Sequence, residues 1–133
     1  MKTTTLFRLT ATVILIQIAL GGLVTFSFID PLLHIAWGIL AAVVAIVAAV
    51  AALRASPIDR QLRGVGIGLV VAILVQGILG FSTLALNSDV LAWVHLVLGV
   101  LIYAMALTGM SFAQRGEHMS AGQAGVQPGA KPA

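Results

Sequence analysis

Four stretches of this chain run for 20 to 23 residues without a single Lys, Arg, Asp or Glu: residues 9–28, 32–53, 65–86 and 90–112. About 20 apolar residues in a helix cross a hydrocarbon core of roughly 30 Å. Inside lipid every backbone N–H and C=O must be satisfied within the protein, so only helices and closed barrels span a membrane. These runs are too long and too evenly apolar for the alternating pattern of a barrel strand. The expected fold class is therefore all-α, an integral membrane four-helix up-down-up-down bundle, with the bundle over residues 1–115.

Composition agrees. Apolar residues make up 60% of the 133 positions and charged residues 8%, against roughly 45–50% and about 25% in a soluble domain. So few charges could not cover a water-facing surface, and disorder, coiled coil and collagen are excluded by the same figures. There is no cysteine, which removes disulfides, thiolate metal sites, iron–sulfur clusters and Cys nucleophiles. The first stretch follows Lys2 and Arg8, as a signal peptide would. Its length and the lack of a small-x-small cleavage pattern mark it as a retained helix.

The net charge of +3 would suggest nucleic acid in a soluble chain. Here the basic residues lie between apolar runs, so the expected partner is the lipid bilayer and not nucleic acid. Lys2 and Arg8 precede the first run, Arg54, Arg60 and Arg63 separate the second from the third, and Arg115 and Lys131 follow the fourth. The other two links hold no Lys or Arg. By the positive-inside rule both termini are cytoplasmic and the protein is multi-pass in the cell (plasma) membrane. The short external links around residues 29–31 and 87–89 make neighbouring helices antiparallel. A Gly-, Ala-, Gln- and Pro-rich segment over 116–133 reads as a disordered cytoplasmic tail.

A two-fold internal repeat is visible. Gln17-Ile18-Ala19-Leu20-Gly21 in the first run matches Gln76-Gly77-Ile78-Leu79-Gly80 in the third, 59 residues on. His34-Ile35-Ala36-Trp37-Gly38 in the second matches His95-Leu96-Val97-Leu98-Gly99 in the fourth, 61 residues on. Repeats of this kind build sites at their pseudo-two-fold axis.

His34 and His95 are the only strongly ionisable side chains within the runs, and an imidazole in lipid is by default a functional candidate. The topology puts both near the external face, on helices that run the same way and can lie diagonally across a bundle. Two imidazoles facing each other there suit the axial positions of a haem iron. Gly38 and Gly99 each sit one turn from a His on the same helix face, where a side chain would collide with a porphyrin plane. Gly21, Gly22 and Gly80 fall at similar depth on the flanking helices. Packing histidines that bridge helices, or a non-haem metal, are the alternatives. Two His without carboxylate or Cys make a poor zinc or iron site.

With no Cys-x-x-Cys-His the haem would be b-type, iron protoporphyrin IX held non-covalently. Its propionates would point outward toward Thr25, Ser27, Asn87 and Ser88. Gln17 and Gln76 read as helix-bridging amides or as contacts to the ligands. Trp37, Trp93 and Tyr103 read as packing or interfacial aromatics, Met105 and Met110 as core fillers, and His118 as solvent-exposed.

Residues 17–99, with Gln-x-x-Leu-Gly on the odd helices and His on the even ones, resemble a single four-helix half of the heme A synthase family. That resemblance implies two fused bundles in the family, one holding haem b and one processing substrate, with His34 and His95 here in the role of the axial pair. The family's catalytic half carries a Glu just before its first His. Here Pro31-Leu32-Leu33 precede His34, Ala92-Trp93-Val94 precede His95, and no Glu lies in any run. The chain thus resembles the haem-holding half, a b-type cytochrome for electron transfer or haem handling. A homodimer or a partner membrane subunit would rebuild two bundles, and a quinone or other redox partner would complete electron flow. The alternatives are a half-size heme A synthase, an oxidoreductase converting haem O to haem A as a dimer, and a cofactor-free membrane assembly subunit.

Overall fold

The structure, a computed structural model, describes residues 1–55 and 59–125. It consists of four helices, α1 (Thr3–Thr25), α2 (Pro31–Arg54), α3 (Arg60–Leu86) and α4 (Asp89–Gly125), each long and apolar enough to cross a membrane. The chain is an all-α, multi-pass membrane bundle. α1 packs on α2 and α4, and α3 packs on the same two. The diagonals are therefore α1–α3 and α2–α4.

The helix limits follow local chemistry more than hydropathy. α1 begins six residues before its apolar run and α3 five, because helical hydrogen bonding does not stop where the hydrocarbon does. Asp59 caps α3, its Oδ1 accepting from the backbone N–H of Gln61 (2.8 Å) and Leu62 (3.1 Å). Asp30 caps α2 by accepting from Leu32 N–H, with Pro31 at the first helical position, where a missing N–H costs nothing.

α1 stops at Thr25, three residues short of its apolar run. Ser27 turns left-handed (φ 60°), and Phe28 N–H bonds Leu23 O while Ser27 N–H bonds Val24 O, both at 2.9 Å. This is a Schellman ending, which satisfies the carbonyls a helix terminus leaves open. α3 ends comparably on left-handed Asn87 (φ 44°), a residue that tolerates this conformation.

α4 departs most from expectation. It runs on to Gly125 and does not end near residue 112, so residues 116–125 are helical and not a disordered tail; residues 126–133 of that tail lie outside the described residues. Ala, Gln, Glu and Met in this stretch are good helix formers. Glu117 also has a tertiary task. Its Oε1 accepts from Thr4 N–H at 3.2 Å, one of the first-turn donors of α1 that has no intrahelical partner, and Lys2 at the cap offers no side-chain acceptor.

The interior is a set of seams at alternating three- and four-residue steps. Phe7, Thr10, Ile14, Gln17 and Gly21 follow one another on α1, and His34, Gly38, Ala41, Ala45, Ala48 and Ala52 on α2. Leu62, Gly66, Leu69, Ile73, Gln76 and Gly80 line α3, and His95, Gly99, Ile102, Ala106, Gly109 and Ala113 line α4. This period suits gently supercoiled packing. At the basic end the seams are dry: Phe7, Leu69, Ile102, Ala48 and Ala106 are fully buried. Toward the short-link end the same seams carry Gln, His and Gly.

Lipid tails are as apolar as Leu, so helices associate here by close packing, which small residues permit. A Cβ on Gly66 would lie 3.1 Å from Ala52 Cβ and 3.3 Å from Ala49 O. Gly109 lets the Phe7 ring lie directly against α4. The pseudo-symmetric counterparts of Phe7 and Gly109 are Gly66 and Ala48, so one half fills the space with a ring and the other with close backbones. The exposed large side chains, among them Ile39, Leu74, Ile78 and Phe81, cover the lipid-facing surface.

Replacing Glu117 by Ala should cost about 1 kcal/mol, the usual worth of a first-turn acceptor. The check is a lowered Tm in detergent with faster amide exchange confined to the start of α1. Unchanged exchange there would show that the helix start does not depend on Glu117.

Candidate intramembrane histidine site

The seam periodicity dictates what meets at the short-link end. Gln17 and Gly21 occupy the last two interior steps of α1, and His34 and Gly38 the first two of α2. The α3–α4 hairpin repeats this with Gln76, Gly80, His95 and Gly99. All eight residues singled out in the sequence are thus brought together, four from each hairpin.

Within each hairpin an amide meets an imidazole. Gln17 Nε2 lies 3.1 Å from His34 Nε2, and Gln76 Nε2 lies 3.3 Å from His95 Nε2. The amides are therefore both helix bridges and contacts to the histidines, which merges the two roles read for them. Gln76 makes a further bond, donating to the His95 carbonyl at 2.9 Å. A carbonyl only accepts, so this bond fixes the amide nitrogen as the atom facing His95. His95 Nε2 then accepts, and the ring proton sits on Nδ1.

The glycines provide the room. A Cβ on Gly21 would lie 3.1 Å from His34 Cε1, and one on Gly80 would lie 3.0 Å from His95 Cε1. A Cβ on Gly38 would approach Gln17 Nε2 to 2.9 Å, and one on Gly99 would approach Gln76 Nε2 to 3.2 Å. Glycines on the odd helices admit the imidazoles, and those on the even helices admit the amides. The sequence spacing suggests that Gly38 and Gly99 clear a porphyrin plane. In this arrangement their immediate neighbours are the Gln side chains. Gly22 faces open space and takes no part.

Across the pseudo-two-fold axis the two imidazole rings meet in a T-shaped arrangement. Their centroids are 6.3 Å apart and their planes are inclined by 69°. They come from the diagonal helices α2 and α4, and both side chains are half-buried. His34 Nδ1, His95 Nδ1, Gln17 Oε1 and Gln76 Oε1 are buried without a hydrogen-bond partner. Four such atoms in one cluster are unusual, because buried polar atoms are nearly always paired and lipid offers them nothing. Among the described residues no group of three or more His, Cys, Asp or Glu could enclose a metal.

The remaining residues are placed as follows. Trp37 donates its indole N–H to Val13 O at 2.9 Å, pinning α2 to α1 one turn from Gln17. In the sequence, an indole N–H on the Gln-facing half of α2 is the only sign of this bond. Trp93 is exposed. Met105 and Met110 pack against the core, as does Tyr103, and His118 is exposed. Thr25 donates its hydroxyl to Gly21 O, and Ser88 Oγ accepts from Leu91 N–H. Both are engaged in helix ends, while Ser27 and Asn87 sit exposed in the two turns. Glu117, the one glutamate of the chain, bonds Thr4 and lies on α4 more than 20 residues beyond His95, far from the quartet.

No protein-family model, curated protein or solved structure matches the chain. No comparison links the chain to heme A synthase.

In Gly38→Ala the new methyl should push the Gln17 amide off His34, since the contact falls inside normal van der Waals distance while the amide is the free end of a flexible chain. The fold should persist. The ring-nitrogen NMR signals of His34 should shift while those of His95 hold still. A His34 signal identical to wild type would refute the contact.

Proposed function

We propose that the chain is a small membrane b-type cytochrome that holds one haem b between His34 and His95. The observation that carries this reading is the imidazole pair. Two rings arrive from diagonal helices on a pseudo-two-fold axis, 6.3 Å apart.

The residues fit an axial ligand set. Two metal–imidazole bonds of about 2 Å each, added to the two ring radii, are of the same size as the separation of the rings. Iron accepts two neutral imidazoles without a carboxylate or thiolate. Gly21 and Gly80 leave room for the two rings, and Gly38 and Gly99 for the amides beside them. The absence of cysteine makes attachment non-covalent. When bound, the haem supplies one-electron chemistry. The chain contributes ligand orientation and a surrounding of low polarity.

The cation distribution supports the membrane assignment of this reading. By the positive-inside rule the basic end faces the cytoplasm with both termini, and the histidines lie toward the outer face of the cell membrane. One haem near one face does not carry an electron across alone, so a quinone, a partner membrane subunit or a second copy of the chain completes the path. Haem holding, for electron transfer or haem handling, is favoured over haem O oxidation by the position of Glu117. The only carboxylic acid of the kind used in the catalytic half of heme A synthase caps α1 at the opposite end.

The test is a reduced-minus-oxidised spectrum of the protein purified after expression with ample haem. A Soret band and a sharp α band with one haem per chain are expected, together with loss of the bis-imidazole spectrum in His34→Ala and in His95→Ala. A folded, colourless wild type would overturn the proposal in favour of histidines that merely bridge helices. Haem A formed on co-expression with the enzyme that makes haem O, and lost in both His variants, would instead establish synthase activity.

A further inference from the structure

We infer that a groove between α1 and α4 at the basic end of the bundle holds one anionic phospholipid, with Arg8 taking the phosphate and an acyl chain lying between the helices. The groove has a volume of about 260 Å³. Arg8, Thr12 and Leu15 line it from α1, and Tyr103, Leu107 and Met110 from α4. Steps of three and four residues keep the α1 set on one helix face, so the groove runs along the helix axis. From Arg8 to Leu15 it extends about 10 Å at the α-helical rise. Arg8 immediately precedes the charge-free run that starts at residue 9, which puts the mouth at the membrane interface and the floor in hydrocarbon. A cation at the mouth of a mostly apolar trough has the shape and polarity of a lipid headgroup site continued by its chain.

The repeat shows that this face is not a by-product of the fold. The positions matching Arg8, Thr12 and Leu15 on α3 are Ile67, Val71 and Leu74, and those matching Tyr103, Leu107 and Met110 on α2 are Ala42, Ile46 and Ala49. None is polar. There the backbones close on each other, a Cβ on Gly66 lying 3.3 Å from Ala49 O, and Ile67, Val71 and Leu74 face lipid. The basic charge of that half sits earlier, at Arg60 and Arg63. Arg8 is exposed, and the carboxylates are engaged or remote. Asp30 and Asp59 cap α2 and α3, Asp89 opens α4 at the other end, and Glu117 accepts from Thr4 N–H. Thr12 spends its hydroxyl proton on Arg8 O at 3.1 Å. The guanidinium is therefore the charged donor of the groove, and its fork matches a phosphate.

Tyr103 decides between a phospholipid and a quinone. Side chains lean toward the N-terminus of their own helix. α1 and α4 run oppositely, so this lean takes the Arg8 head toward the basic surface and the Tyr103 phenol deeper into hydrocarbon. A small headgroup bonded to both would have to bridge diverging groups. A phospholipid needs only the first, with the Tyr103 ring, which packs against the core, flanking its chain.

The test uses the full chain, stripped of lipid in neutral detergent and titrated with phosphatidylglycerol or with phosphatidylcholine of the same acyl chains, read by native mass spectrometry. Wild type should hold one phosphatidylglycerol about fivefold more tightly than phosphatidylcholine, the factor one basic residue contributes at an anionic lipid surface. Arg8→Gln should bring the two lipids to equal affinity. Arg54→Gln, which removes an exposed cation outside the groove, should keep the preference, as should Tyr103→Phe. Leu107→Trp should fill the trough and weaken both lipids with Arg8 intact. Arg8→Gln alters an exposed side chain and carries the test even if the Trp variant does not fold. Equal affinities in wild type, a preference that survives Arg8→Gln or is lost to the same extent in Arg54→Gln, or unchanged binding in a folded Leu107→Trp would overturn the site. An isoprenoid quinone that displaces phosphatidylglycerol from wild type but not from Tyr103→Phe would overturn it in favour of a quinone.

Discussion

Close approach of backbones is the constraint on which this bundle depends. Apolar side chains gain nothing by leaving lipid for protein, so the helices must hold together by packing and by hydrogen bonds made where water cannot compete. The alanines of α2, together with Gly66, Gly99 and Gly109, bring the seams into contact. That contact makes the polar cluster feasible, because an amide and an imidazole can be sunk in a membrane only where a neighbouring helix is near enough to bond them. The dry half of the seams and the polar half are one construction, with small residues in both, used at one end to pack helices and at the other to admit Gln and His.

Much of this was legible in the sequence because membrane physics leaves few options. Charge-free runs of about 20 residues must be helices, and short links force antiparallel neighbours. The repeat was legible because Gln and His are rare inside such runs, and the same rarity brought all the residues of the quartet into view. The glycines stand out in the sequence as positions needing space, but the protein neighbours that use it do not. Periodicity says which residues share a face; it does not say which side chain of the next helix will turn toward them.

What stayed hidden depends on contacts between distant parts of the chain. The helical continuation of α4 through residues rich in Gly and Ser looked like a tail, since hydropathy marks the hydrocarbon boundary and not the end of a helix. The acceptor it provides, Glu117, is 113 residues from its donor. The Schellman ending of α1 was hidden for another reason: Ser stands where Gly is the usual choice. The inequality of the two Gln–His pairs was also invisible, because identical residues at matching positions gave no hint that one amide finds a second acceptor.

The equal division of the quartet between two hairpins has a consequence for how such a protein could arise. Each hairpin brings one amide, one imidazole and two clearances, and neither closes the site alone. Two copies of a single hairpin, paired about a two-fold axis with the same patch on each, would assemble the whole arrangement. Fusing them through the basic link then frees each copy to drift from the other, as Trp37 against Leu98 and Phe7 against Gly66 already do, and a symmetric cradle acquires a front and a back.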